Sequence, residues 1–388
     1  MNSTSEPSSS DLQDFFQNYW DLIAGFLFAI SAFAFHLSGH PYLTTLFAGL
    51  GIAAFSFTVS EIAEILADRL QEPYASFVLT FSAVAVEILL LFMIMLESSH
   101  GTHALETVKG GIISAVIVDM NVLLGIAVFI GGLRFKEQEH NEDTSSTYTT
   151  ILLVASVALL VPSLLQYSKE SEESLMTASY IIAFLLMIYY ITIFIFQTKT
   201  HIHFFKATAR SRIFRLRRKR FDKNEEEHEE DNYIFEKLPN VTNFFAIFGL
   251  IFIIGIIAEM FASEGMKIAN EYGISPALAG LVIAIISVSP ELFTAVKAAK
   301  SDQIQRVVNI AMGASTVSIL LTVPILMLLA PFADIELSLD FNALQIGALI
   351  LTVILAWKTT DNGETNYVEG ISHLMFFLAY AVIAAFYH

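Results

Sequence analysis

The chain contains no cysteine, which excludes disulfide staples, thiolate-held metals and cysteine nucleophiles. Charge is also scarce, at 15% of residues, and bases are outnumbered: 21 Lys and Arg stand against 38 Asp and Glu, for a net charge of −17. That balance argues against a nucleic-acid partner. No glycine-rich nucleotide loop occurs, so an ion gradient is the energy source expected of any transport activity. His228 sits in an acidic run, yet no His-Glu-x-x-His pattern follows, so a zinc peptidase is not indicated and no enzymatic activity is expected. The opening segment, Met1 to Asp14, is Ser-rich and acidic and lacks Lys and Arg, so no cleavable signal is expected.

What the chain has in excess is apolar side chains: 55% of its 388 residues are hydrophobic, and the mean hydropathy is +0.62. Apolar runs near 20 residues recur between short polar breaks, the pattern of an all-α polytopic membrane protein whose first partner is the lipid bilayer. Eleven transmembrane helices are expected, near Tyr19 to Leu37, Leu43 to Leu66, Tyr74 to Leu96, Val108 to Leu133, Tyr148 to Tyr167, Leu175 to Phe196, Val241 to Glu264, Ser275 to Ala299, Ile304 to Ala330, Leu344 to Trp357 and Tyr367 to Tyr387. With a cytoplasmic N-terminus, eighteen bases fall on the cytoplasmic side and only Lys109, Lys169 and Lys267 on the other. Basic loops stay inside, so this bias supports both the odd count and the orientation.

The stretch from Ile274 to Lys300 carries two residues that an inert anchor would not contain. Pro290 cannot donate a backbone hydrogen bond and is expected to break the helix, and Glu291 puts an ionisable group at membrane depth. An acid there costs about 2.5 to 3.5 kcal/mol on insertion scales, so Glu291 is expected to face a polar cavity or to bind something.

Two halves flank a polar insert and share three motifs in the same order. Ile62 to Ala67 resembles Ile257 to Ala262, placing Glu64 opposite Glu259; Glu87 matches Glu291; and Asn121 to Gly125 matches Asn309 to Gly313, each Asn-x-x-x-Gly. Five helices per half force the halves into opposite orientations, the inverted 5+5 repeat of alternating-access transporters, here with an extra first helix. The expected division is a polar tail at 1–18, the extra helix at 19–40, a first repeat at 41–198, a basic and acidic cytoplasmic loop at 199–240, and a second repeat at 241–388. Within the loop the acidic run of Glu225, Glu226, Glu227, Glu229, Glu230 and Asp231 reads either as a solvated tract or as a regulatory cation sensor.

Facing carboxylates at Glu87 and Glu291 supply hard oxygen ligands, a chemistry that suits calcium better than magnesium or the soft metals. Protons taking the place of the metal on the same carboxylates would make an antiporter. Glu64, Glu259, Asn121 and Asn309 are candidates for the cation and proton pathway, against a plainer reading as structural hydrogen-bonding and close-packing residues. Asp119, Ser82, Ser287, Ser289 and Pro290 are additional candidates, the serines as hydroxyl ligands and Pro290 for the carbonyls it exposes. The competing class is a cation channel, which needs a continuous pore ring rather than acids from two halves of one chain.

At these residues the chain resembles the bacterial calcium/proton antiporter branch of the cation/calcium exchanger superfamily. The resemblance rests on Glu72-Pro73-Tyr74 leading to Glu87, and on Ser275 to Leu278, Pro290-Glu291, Thr294 to Val296, Gln305, Asn309, Gly313 and Leu321 to Pro324. It covers both repeats. In the first half, Ser82 to Val86 stand where the superfamily usually has Gly-Asn-x-x before the acid. The resemblance implies a multi-pass protein of the bacterial inner membrane with no cofactor, in which Glu87 and Glu291 bind the exchanged cation and protons with help from Glu64 and Glu259. It also implies a regulatory role for the acidic loop, and it extends to relatives that exchange sodium or potassium for protons.

Overall fold

Each apolar run becomes a helix long enough to cross a bilayer. The computed structural model describes residues 9–70, 74–100, 103–167, 172–201 and 233–386. Among them eleven spans are long and apolar enough to cross: Asn18–Leu37, Pro41–Arg69, Phe77–Leu96, His103–Phe135, Glu142–Leu165, Glu172–Thr200, Asn240–Tyr272, Pro276–Lys300, Ile304–Ala333, Ala343–Thr360 and Tyr367–Phe386. The acidic run from Glu225 to Asp231 and the Glu72-Pro73 pair lie outside the described residues. Large apolar side chains point outward along the first, sixth and seventh spans, among them Ile30, Phe184, Phe245 and Phe252. In water such a surface would be untenable; against acyl chains it is the solvated face.

Local chemistry sets the ends. The second span starts with Pro41 at its first turn, the seventh stops at Gly273 in the left-handed region, and Ser275 caps the eighth by accepting from the Leu278 amide. Asn342 and Gln345 form a reciprocal capping box on the tenth span, which runs beyond the Leu344 to Trp357 expected for it.

Polar contacts at the two ends of the bundle verify the alternation. At the end that carries most of the bases, Arg69 after the second span donates to the Leu238 carbonyl before the seventh, and Arg306 at the start of the ninth pairs with Glu64 at 2.7 Å. A short antiparallel ribbon joins β1 (Glu137–Glu139) after the fourth span to β2 (Glu364–Asn366) after the tenth. Gln138 reaches from that ribbon to Asp302 after the eighth span, at 2.9 Å. At the opposite end, His36 meets Glu264, Lys109 meets Asp340 at 2.6 Å, and Ser163 accepts from the Phe341 amide. Each of these pairs joins only segments that eleven alternating crossings put on one side.

The halves interleave rather than sit side by side. The second span packs along the seventh, and the fourth crosses the eighth. That second crossing is a backbone contact: a Cβ on Gly280 would lie 2.4 Å from the Gly110 carbonyl carbon and the Gly111 nitrogen. Small residues let helices approach this closely where dispersion and hydrogen bonding, not the hydrophobic effect, must drive association.

The structure departs from the sequence expectation at two places. The eighth span is one continuous helix, Pro276–Lys300, with Pro290 inside it. Neighbouring helices tolerate a proline at membrane depth, and its main effect is to remove the donor that the Ile286 carbonyl would otherwise use. Irregular backbone at the middle of a span occurs instead in the fourth and ninth, where π-helical turns at Val118–Leu123 and Ser318–Thr322 each interrupt the α-helix about halfway along, while a further π-turn, Phe196–Thr200, ends the sixth. The second departure concerns register: Asn121 lies inside the fourth span's π-turn, whereas Asn309 lies in the second turn of the ninth. Their shared Asn-x-x-x-Gly spacing therefore does not mark equivalent places in the two halves.

Candidate functional site

The two mid-span π-turns face the centre of the bundle and bring polar groups to it. Ser318 and Thr322 open and close the ninth span's turn, and both hydroxyls donate to Oε2 of Glu87 on the third span, at 2.9 and 3.2 Å. Asp119, in the fourth span's turn, accepts at Oδ2 from Ser315 at 3.2 Å. Glu87 and Asp119 are buried, Asp119 to 1% exposure. Each keeps one carboxyl oxygen, Oε1 of Glu87 and Oδ1 of Asp119, sealed from solvent without a donor, and so does Oε2 of Glu291 on the eighth span.

These three carboxyls share one field. Asp119 interacts electrostatically with both Glu87 and Glu291, and Glu291 with Glu87. Among the described residues no group of three or more His, Asp or Glu is drawn together tightly enough to hold a metal ion, so the acids are neighbours rather than a closed cage. Three neighbouring carboxyls, each with an oxygen lacking a donor, are costly in a low dielectric unless protons or a cation lie among them. Their supporting spans come from both halves: the third and fourth from one, the eighth and ninth from the other.

The remaining candidates fall elsewhere. Glu64 is half-exposed at the basic end and paired with Arg306, while Glu259 is exposed on the seventh span, past its middle and toward the opposite end. Asn309 accepts from Gln305 at 2.9 Å, near the basic end. Asn121 is buried beside Asp119 in the chain, but its amide is bonded to Thr352 and His373. Ser82, Ser287 and Ser289 all donate to carbonyls of their own helices. Ser315, Ser318 and Thr322 are site hydroxyls that the repeat motifs do not single out. Their signal is the 315, 318, 322 spacing of hydroxyls along one face of an apolar helix.

Residues 40–199 and 242–386 match the sodium/calcium exchanger protein family, which is most of the chain. The chain belongs to that family. The sodium-potassium/proton antiporter ChaA of Escherichia coli K12 is 27% identical to it over 338 residues, covering 86% of this chain and 87% of its own length. A Ca2+/H+ antiporter of Synechocystis is 26% identical over 376 residues, covering 93% and 96%. In fold, this family member is similar to the solved Ca2+/H+ antiporter YfkE, with a TM-score of 0.75 at 17% identity over 95% of this chain and all of the other. The H+/Ca2+ exchanger CAX gives 0.68 at 19% identity over 96% and 91%. In this exchanger, then, the Glu87, Asp119 and Glu291 group lies on the third, fourth and eighth of eleven spans.

Proposed function

We infer that this chain is a secondary active antiporter that exchanges calcium for protons by alternating access. The observation that carries the reading is the central group of Glu87, Asp119 and Glu291, held by helices of both halves, with one oxygen on each acid sealed from solvent and unpartnered. A divalent cation among these carboxylates keeps them ionised. When it leaves, their mutual repulsion draws protons into its place, so the two fluxes exclude each other and are coupled. Hydroxyls of Ser315, Ser318 and Thr322 satisfy the inner oxygens in either state, because a hydroxyl can donate to a carboxylate and accept from a carboxylic acid. Glu64 and Glu259, toward opposite ends, serve as entry acids on the two sides. Asn309 lies on the route from the basic end.

The basic end is assigned to the cytoplasm by its eighteen bases, in a bacterial inner membrane. The acidic run outside the described residues is assigned a regulatory part, because it lies far in the chain from the three acids. A second reading, sodium or potassium for protons, is favoured by the 27% identity with the sodium-potassium/proton antiporter of Escherichia coli.

The test is cation-driven proton movement in vesicles holding the purified protein, with calcium, sodium and potassium in turn. Glu87→Gln and Glu291→Gln should abolish it while the proteins remain folded, since glutamine reproduces the shape of a protonated carboxyl. Wild-type exchange in either variant contradicts the proposal. Glu87→Asp should retain weak activity, because its charge survives on a side chain one methylene too short.

A further inference from the structure

His373 on the eleventh span is a buried imidazole with no part in the exchange chemistry above, and its hydrogen bonds lead back to the cation group. It has no solvent exposure, nor has Asn121. His373 Nδ1 lies 3.0 Å from Oδ1 of Asn121, and Nε2 lies 3.0 Å from Oγ1 of Thr359. Asn121 in turn donates through Nδ2 to Thr352 Oγ1 at 3.0 Å. With the Asn121 amide nitrogen used on Thr352, its carbonyl oxygen can only accept, so the imidazole proton sits on Nδ1 and Nε2 accepts from the Thr359 hydroxyl. One chain of bonds therefore runs from the tenth and eleventh spans into the π-turn Val118–Leu123, two residues from Asp119.

A π-turn is a single-turn insertion that bends a helix and changes the rotation of what lies beyond it, so side chains bonded within the turn bear on its orientation. Close packing reinforces the bonds: a Cβ on Gly125, just after the turn, would lie 2.9 Å from the His373 Cβ. The fourth span is thus held against the eleventh on the side where Asn121 is bonded.

We propose that His373 is a positioning residue: by holding Asn121 through Nδ1 it fixes the rotation of the Val118–Leu123 turn, and so the direction from which Asp119 meets Glu87 and Glu291. It touches neither cation nor proton itself; its effect is on cation affinity. The proposal rests on Asp119 belonging to the cation group.

Two amide substitutions separate positioning from packing. Asn places its amide where Nδ1 stands and can still donate to Asn121, whereas Gln reaches the Nε2 position and keeps only Thr359. Full-length His373→Asn, His373→Gln and His373→Ala are compared with wild type for the half-saturating concentration and maximal rate of proton movement with calcium, sodium and potassium. The calcium-induced rise in melting temperature of the purified proteins is measured in parallel. His373→Asn should restore near wild-type affinity, while His373→Gln and His373→Ala weaken it about tenfold, as loss of a residue that orients a ligand does, with the maximal rate less affected. Equal weakening in all three, or wild-type affinity in His373→Gln or His373→Ala, overturns the proposal. Melting without cation reports the folding of each variant, and if His373→Ala does not fold the Asn and Gln pair decides. Absence of cation-driven proton movement in wild type would instead overturn the antiport reading, and the calcium-induced melting shift would then decide the role of His373.

Discussion

Replacing Gly280 by alanine tests whether the crossing of the fourth and eighth spans sets the geometry of the acids. The added Cβ would lie 2.4 Å from two backbone atoms of Gly110 and Gly111, where ordinary contact begins at 3.4 Å. No side chain can rotate out of the way, so the two helices must part by about 1 Å or tilt. Overpacking of this kind costs about 1–3 kcal/mol, against which alanine recovers about 1 kcal/mol of helix propensity. Function should suffer more than stability. Glu291 lies three turns further along the same helix and Asp119 about two turns beyond Gly111, and a misplacement of about 1 Å at a reacting group can cost about a hundredfold in rate. Gly280→Ala should therefore lower the melting temperature slightly and cut proton exchange severely. Gly249→Ala is the control, because nothing lies within 4 Å of its Cβ position; it should be at least as stable as wild type and fully active. If Gly280→Ala exchanges at the wild-type rate with an unchanged melting temperature, the crossing does not set the site.

Lys109 is almost wholly buried and held by Asp340 at 2.6 Å and by Glu106 at 2.9 Å, so Asp340→Asn should cost about 2 kcal/mol in thermal unfolding, the worth of a charged hydrogen bond. His140, beside the ribbon, has its pKa pushed down from 6.5 by burial, opposed by its hydrogen bond to the Thr360 carbonyl. The unfolded chain therefore binds the proton more readily, so the His140 contribution is complete above about pH 6.5 and is lost on acidification; His140→Gln should flatten that part of the melting-temperature profile. Because the chain lacks cysteine, single cysteines at Ser301 and Asn362 should label from the cytoplasmic side and one at Glu336 from the other. Agreement of all three would remove the eleven-crossing layout.

Spans, inverted halves and the two central glutamates were legible because an acid in an apolar helix is conspicuous to any hydropathy argument. Asp119 was harder to rank, since Val307 stands at the place the short Asn-x-x-x-Gly match assigns to its counterpart. The π-turns left no trace in composition: one extra residue shifts the phase of a helix without changing its hydropathy. Ser318 and Thr322 open and close one of these turns, and both reach Glu87. Pro290 misled because a proline signals a missing donor, and whether the helix breaks depends on neighbours that are remote in sequence. The ribbon strands, Glu-Gln-Glu and Glu-Thr-Asn, contain one β-branched residue between them and pair only because the fourth and tenth spans end side by side.

That ribbon has a consequence for how the molecule is made. Its first strand leaves the ribosome long before its second, and at about 5–20 residues per second the wait is on the order of tens of seconds. During that interval Gly132 and Gly125 face no partner, since Tyr367 and Gly370 to His373 have yet to be inserted beside them. The fourth span, which carries Asp119, thus enters the membrane early and settles last. A nascent chain halted before Glu364 would expose the open edge of Glu137–Glu139 to whatever quality-control machinery patrols that face of the membrane.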